Sequence, residues 1–372
     1  MGFKCGIVGL PNVGKSTLFN ALTSVGAPAS NYPFCTIDPN VGRVDVPDPR
    51  LAALDKYVGA QKIVPASMEF VDIAGLVRGA ASGEGLGNQF LGHIKQTDAI
   101  AHVVRCFESD DITHVEGSVD PIRDIGIIDT ELILADAETV NKALSRYQKL
   151  TKAGKKEIPL IVAMLEALQK HLDEANPARS FDVELFVNDA LEVGAAYQEL
   201  HLITAKKVLY VCNVDEDMAT GDSDNEHTQK VVEHAAKEGA QVVRICSKIE
   251  EELADLDEES KQEMIGDLGM EEPGLHRLIR AGYSLLDLQT YFTAGVKEIR
   301  AWTIRVGDKA PAAAGKIHSD FERGFICAEV YTLPDLEKVG AKAKLKEQGL
   351  IRQEGRDYTV ADGDVMEFRF NV

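Results

Sequence analysis

Basic residues are scarce: the 372-residue chain carries 40 Lys plus Arg against 60 Asp plus Glu, a formal charge of −20. Phosphate contacts need Lys and Arg, so this balance excludes non-specific coating of nucleic acid by the whole surface, though not a local basic patch. The deficit is uneven. Residues 282–372 hold 13 basic and 14 acidic side chains, a net −1, which leaves −19 for the first 281 residues. An RNA-facing surface is therefore expected in the C-terminal segment. Also absent is any run of about 18 charge-free apolar residues, so no membrane-spanning helix is expected. The opening MGFKCGIVGL has one Lys in a short apolar stretch and does not read as a secretory leader. The cytoplasm is the expected compartment, with no membrane partner. None of Cys5, Cys35, Cys106, Cys212, Cys246 and Cys327 forms a CxxC pair. Neither a zinc site nor a disulfide framework is expected, and the six are read as reduced, mostly structural thiols. The acidic tracts at 215–226 and 250–260 lack the Gly and Glu spacing of a calcium loop and read as solvated faces.

What remains is an ordinary globular composition, 45% apolar and 27% charged, long enough for two or three domains. Up to about residue 128, apolar runs (FKCGIVGL, MEFVDIAG, AIAHVVRCF) alternate with helical patterns, the signature of a parallel sheet with crossover helices. KVLYVCNV (207–214) and QVVRICS (241–247) resume it. Between them, residues 129–201 have no strand-like run. Val140, Leu144, Tyr147 and Leu150 recur at helical spacing, as do Ile161, Met164, Leu165, Leu168 and Leu172, which predicts a helical hairpin broken at KAGKKEIP (152–159). Beyond Pro273 a helical stretch is expected to about Gly295. The period then becomes two: Trp302, Ile304 and Val306 share one face, and Met366, Phe368, Phe370 and Val372 another, marking a small β-rich C-terminal domain. The expected fold class is α/β, a P-loop GTPase-like, mostly parallel sheet. Its nucleotide-binding domain covers 1–128 and 202–281, with the insertion at 129–201 and the last domain at 282–372.

GLPNVGKS at 9–16 matches G-x-x-x-x-G-K-[ST] between an apolar strand and the helix-compatible TLFNALT. Glycines 9 and 14 let backbone N–H groups wrap phosphates, the helix N-terminus adds its dipole, and Lys15 reaches the β and γ oxygens. Asn12, Val13, Gly14, Lys15, Ser16 and Thr17 are the expected phosphate-side contacts, with Ser16 a Mg²⁺ ligand. Asp72, ending the strand of MEFVDIAG, is placed to hold Mg²⁺ through water, and the Gly75 N–H to approach the γ-phosphate. Thr36, in the Pro-punctuated loop NYPFCTIDPN, is a candidate third Mg²⁺ ligand that changes order when the γ-phosphate leaves.

A guanine-reading Asn-Lys-x-Asp motif is altered here. Asn213, Val214, Asp215 and Glu216 stand in its place, without the Lys and with a longer Glu for the Asp. Chemistry predicts loss of the guanine clamp; it does not by itself predict adenine selection. GLPNVGKST, NYPFCTIDPN, DIAGLVRGAASGEGLGNQF, the Asn213–Glu216 motif, SKIE at 247–250, LQTYFTAGVKEIRAWTI and GKIHSDFERGF together resemble the YchF-type Obg-like ATPases over nearly the whole chain. The resemblance implies an ATPase domain with a helical insertion, a C-terminal TGS domain, and association with ribosomes and translation factors. It also implies adenine recognition by Asn213 and the backbone of Val214. The SKIE run, with Cys246 before it, departs from the family, in which an Ala is commoner after the Ser; this touches packing near the base.

Many GTPases orient the attacking water with a Gln after the Asp-x-x-Gly glycine. Leu76 stands there and can neither donate nor accept. Two substitutes are open: His114, whose type suits proton work and whose position the resemblance favours, or a monovalent cation such as K⁺ near Asn12. The reading is Mg²⁺-dependent hydrolysis of ATP by a ribosome-associated switch. A GTPase, or a nucleotide-gated ribosome-binding switch with little turnover, is the alternative. Lys338, Lys342 and Lys346 would share one face if that stretch is helical, offering a ribosomal RNA contact.

Overall fold

In a computed structural model, residues 3–25, 40–73, 86–109, 111–151, 156–187, 191–220 and 224–371 are described below, with only the backbone considered at 25 and 86–90. The chain divides into two compact units. One holds residues 3–42 and 69–278, the other 43–68 and 279–372.

The first unit opens with β1 (Lys4–Val8), the phosphate loop and α1 (Lys15–Val25), followed by β2 (Val41–Asp45). The chain then passes through α2 (Pro49–Val58) and β3 (Ile63–Val64), which belong to the second unit, and returns with β4 (Ser67–Asp72), α3 (Leu86–Lys95) and β5 (Ala99–Arg105). The insertion contributes α4 (Pro121–Leu150), α5 (Glu157–Asp173), α6 (Glu184–Val187) and α7 (Leu191–Glu199). Then come β6 (Val208–Asn213), α8 (Glu226–Glu238), β7 (Gln241–Ile245), α9 (Ser247–Ala254), α10 (Glu258–Asp267) and α11 (Gly274–Leu285). The sheet order is β2-β4-β1-β5-β6-β7. β1 runs parallel to β4 and β5, β5 to β6, and β6 to β7. β5 and β6 are buried at every position, as expected of central strands covered on both faces. The helix ends follow local chemistry. Asn225 and Thr228 form a capping box on α8, and Gly239 closes it with φ 66°.

The insertion is helical as expected, but α4 starts at Pro121, capped by Asp120, so the boundary expected at 128/129 falls inside a helix. Val140, Ile161, Met164, Leu165, Leu168 and Leu172 form one core, with Leu144 and Tyr147 partly buried against it. Leu150 is exposed. Two polar anchors tie this core down. Asp136, fully buried, accepts from the Ile203 and Thr204 N–H groups and from Thr204 Oγ1 at 2.7–2.8 Å. Arg179, in a 3-10 turn, places Nη2 2.9 Å from Glu238 and 3.8 Å from Asp129. Asp129, His234 and Glu238 lie close enough to share a cation, and the cation they have is this guanidinium. Burial raises the Asp129 pKa, with Arg179 opposing the rise. Arg179→Ala is accordingly expected to cost about 2 kcal/mol in urea denaturation at pH 7, since two partly buried carboxylates lose their counter-charge. Without the cation Asp129 titrates still higher in the folded state, so the penalty is present above its raised pKa and is lost as pH falls through it. An unchanged unfolding midpoint at pH 7 would contradict this.

The second unit is built on a sheet of order β11-β10-β12-β8-β9-β3. Its strands are β8 (Leu288–Ala294), β9 (Ile299–Arg305), β10 (Phe325–Thr332), β11 (Arg352–Glu354) and β12 (Asp364–Phe370), with β3 paired parallel to β9. Its helices are α12 (Ala310–Ile317), α13 (Ser319–Arg323), α14 (Leu333–Val339) and α15 (Lys342–Glu347). Four expectations change here. Residues 43–68, expected with the nucleotide domain, belong to this unit: β3 extends its sheet, and Arg50 pairs with Asp362 at 2.6 Å. The helix expected to reach Gly295 ends at Leu285. Asp287 turns the chain with φ 52°, and the β-branched and aromatic run after it pairs antiparallel with β9, Tyr291 opposite Trp302. Val306 leaves the strand and is exposed beside Gly307, φ 93°, while Ile304 is buried. Finally, Gly340 at φ 80° ends α14, so Lys338 lies on a different helix from Lys342 and Lys346. The single basic face is not formed, and Lys342 pairs with Glu367 at 2.9 Å.

Candidate nucleotide site

The phosphate loop turns where no β-carbon fits. A Cβ on Gly9 would meet the Val103 carbonyl at 2.6 Å, and one on Gly14, at φ 91°, would meet Asn213 Nδ2 at 2.1 Å. Asn12 also takes a positive φ of 62°, a conformation Asn tolerates. The result is a cavity of about 440 Å³ lined by Leu10–Asn12 and Gly14–Thr17. At its mouth Ser16 is exposed on the first turn of α1. Lys15 is 8% exposed, and its Nζ lies 3.3 Å from Asp72 Oδ1. Parallel pairing places Asp72 beside Ile7 of β1, so the sheet register brings this carboxylate to the loop. A concave backbone at a helix N-terminus, a lysine at its centre, and a hydroxyl and a carboxylate on its edge suit a polyphosphate with Mg²⁺. Thr36, Gly75 and Leu76 lie outside the described residues.

A second cavity of about 460 Å³ continues from Gly14 and Thr17. One wall is Asn213–Glu216 with Cys246–Lys248, the other Phe107, Ser109, Asp111 and Ile112. Asn213 is a clamp. Its Nδ2 donates to the Val13 carbonyl at 2.9 Å and its Oδ1 accepts from the Ser247 N–H at 3.0 Å, joining phosphate loop, β6 and α9. Val13 is buried and enters the site by its backbone. The Val214 N–H is committed to the Ile245 carbonyl at 2.9 Å, so what its backbone can still offer a base is its carbonyl. Glu216 pairs with Lys248. Both are largely exposed, so the pair contributes little to stability. Among the described residues the buried Ser247 hydroxyl has no hydrogen-bond partner, a polar atom left over in the wall of a cavity that suits a polar planar ligand.

His114 is 7% exposed and does not line either cavity. Its Nδ1 accepts from the Glu116 N–H at 3.1 Å and its Nε2 lies 2.8 Å from Asp124 Oδ2. That assigns the neutral ring its proton on Nε2, donated to Asp124, and leaves neither nitrogen for a water. Arg123, 2.9 Å from the other Asp124 oxygen, holds the acceptor in place. Asn12 Nδ2 donates to the Thr113 carbonyl at 3.2 Å, so the residue before His114 touches the phosphate loop.

Several functional neighbours were not legible beforehand. Ser247, Glu250 and Arg105 carry no motif signal for burial. Glu250 of the SKIE run is a buried cap, accepting from Gly274 N at 2.6 Å and Leu275 N at 3.2 Å at the start of α11. A larger cavity, about 560 Å³, lies in the second unit among Ile317, Phe321, Tyr331 and β12 side chains. Its lining includes no phosphate-loop residue.

Fold and loop together define a P-loop nucleotide hydrolase of the GTPase type. A family model described as a 50S ribosome-binding GTPase matches residues 4–162, and a C-terminal YchF-GTPase model, described as a protein of unknown function (DUF933), matches 288–371. The chain is 56% identical to the ribosome-binding ATPase YchF of Haemophilus influenzae and 54% identical to that of Bacillus subtilis, each over 372 residues and 100% of both chains. The solved structure of the Schizosaccharomyces pombe YchF GTPase matches with a TM-score of 0.85 at 38% identity, covering 99% of this chain and 98% of that one. The chain belongs to the YchF family.

Proposed function

We propose that the protein hydrolyses ATP to ADP and phosphate with Mg²⁺, in the cytoplasm, as a switch that binds ribosomes. The names of its relatives differ on the nucleotide: ATPase for the bacterial proteins, GTPase for the fission-yeast one. The observation that carries ATP is the altered base loop. Glu216, where a guanine clamp needs a short Asp, is turned to Lys248, and the backbone group left at Val214 is an acceptor. An acceptor suits the adenine 6-amino group and opposes the guanine 6-carbonyl. Calorimetry is expected to give ATP several-fold tighter binding than GTP; equal or tighter GTP binding would reverse the assignment.

In this reading Lys15 leaves Asp72 for the β and γ oxygens. Ser16 and Asp72, with Thr36 assigned on sequence alone, would hold Mg²⁺, whose charge would offset that on the phosphates, and the Gly75 N–H is the sequence's candidate donor to the γ-phosphate. Asn12 to Thr17 surround the phosphates, and Asn213, Val214 and Glu216 border the base. His114 supplies the water-positioning group only after its ring leaves Asp124. The alternative is K⁺ held by the Asn12 amide oxygen. The closed His114–Asp124 pair favours a second reading in which intrinsic turnover is slow and the ribosome opens the site. Ribosomes added to a single-turnover assay test it: an unchanged rate speaks against the switch. The C-terminal unit, as a TGS domain, is the segment we assign to ribosomal RNA or translation factors, on its near-neutral charge.

A further inference from the structure

β5 ends on Arg105, a guanidinium that is 1% exposed. Burying a permanent cation is unfavourable unless its donors are satisfied, and an apolar side chain could fill the end of a central strand without that cost. Its three hydrogen bonds among the described residues go to one irregular segment. Nε reaches the Phe107 carbonyl at 3.1 Å, Nη1 that of Ile112 at 2.8 Å, and Nη2 that of Ser109 at 3.4 Å. The guanidinium also lies over the Phe107 ring, 4.6 Å from its centre. The same segment forms one wall of the 460 Å³ cavity through Phe107, Ser109, Asp111 and Ile112. Its far end is tied to the phosphate loop through Thr113 and Asn12, and its near end by Asn225 Nδ2 to the Cys106 carbonyl at 2.8 Å.

We propose that Arg105 is a positioning residue of the nucleotide site. It folds residues 107–109 and 111–113 into a wall for the base, and so sets nucleotide affinity and the preference between bases without touching the phosphates. The proposal rests on assigning the 460 Å³ cavity to the base of a bound nucleotide. Only a planar fork can span three carbonyls at once; a lysine ammonium keeps the charge and loses the geometry.

Arg105→Lys is the test. Its KM for ATP is expected to rise about tenfold or more with kcat held within about twofold, and its preference for ATP over GTP to narrow. Hydrogen exchange at the 107–113 amides is expected to quicken in the variant while β5 and β6 stay protected. A lowered melting temperature with unchanged KM and base preference would overturn the proposal, because a merely structural role acts through the folded fraction. Should the variant not fold, the wild-type protein decides: ATP is expected to slow exchange at 107–113, and no change there overturns the proposal while leaving the ATPase reading intact. A wild-type chain that binds neither nucleotide overturns both.

Discussion

Lys15→Ala is expected to reduce ATP turnover by about 10²–10³-fold or more, the scale of losing a charged donor aimed at charge that develops in a transition state. Lys15 is 8% exposed, at the centre of the phosphate cradle. Its present partner, Asp72, has a side chain 20% exposed and keeps access to water when the ammonium is gone, so the fold should persist with an unchanged circular dichroism spectrum. Lys15→Arg makes the second arm. A longer planar cation cannot take the place of a buried point charge, so it is expected to recover little. Turnover within tenfold of wild type in Lys15→Ala would mean that phosphate transfer occurs elsewhere.

Gly14→Ala carries the second large effect, on binding. At φ 91° an L side chain costs about 1–3 kcal/mol in strain. The added Cβ would also sit 2.1 Å from Asn213 Nδ2, the atom that bonds the Val13 carbonyl. One methyl group therefore disrupts the phosphate loop and its tie to the base loop together. ATP affinity is expected to fall by about 10²-fold, a ~2.7 kcal/mol change, in equilibrium titration. Gly239→Ala controls for strain: its φ is 66° and a Cβ there meets nothing within 4 Å. That variant should lose stability and keep its affinity. Equal affinity losses in the two would show that general strain, not the Asn213 clash, is responsible.

His114 is held by its neighbours at both ring nitrogens. The sequence offers it as a water-positioning group, whereas the ring is buried between Glu116 and Asp124. Nothing local announces this, because Asp124 comes from the first turn of α4 and its orientation is set by Arg123 and the Asp120 cap. The base loop has a similar history. Asn213 was legible as a motif residue, but its amide is spent on Val13 and Ser247, so the base contact we propose for this loop falls to the Val214 carbonyl more than to the Asn side chain.

The sequence by itself determined the phosphate loop, the parallel strands β1, β4, β5, β6 and β7, the helical insertion and the loss of the guanine clamp. Each depends on contiguous residues: a glycine turn between strand and helix, a run of buried apolar side chains, a helical period, a missing Lys. Tertiary structure alone decided that residues 43–68 join the second unit, that Gly340 separates Lys338 from Lys342 and Lys346, and that Arg105 and Ser247 face inward. It also joined Asn213 to a carbonyl 200 positions away. Hydrophobic period and local propensity report which face of an element is buried, not which distant element covers it. A buried polar group is placed by the partner that satisfies it, and that partner is chosen by sheet order and register.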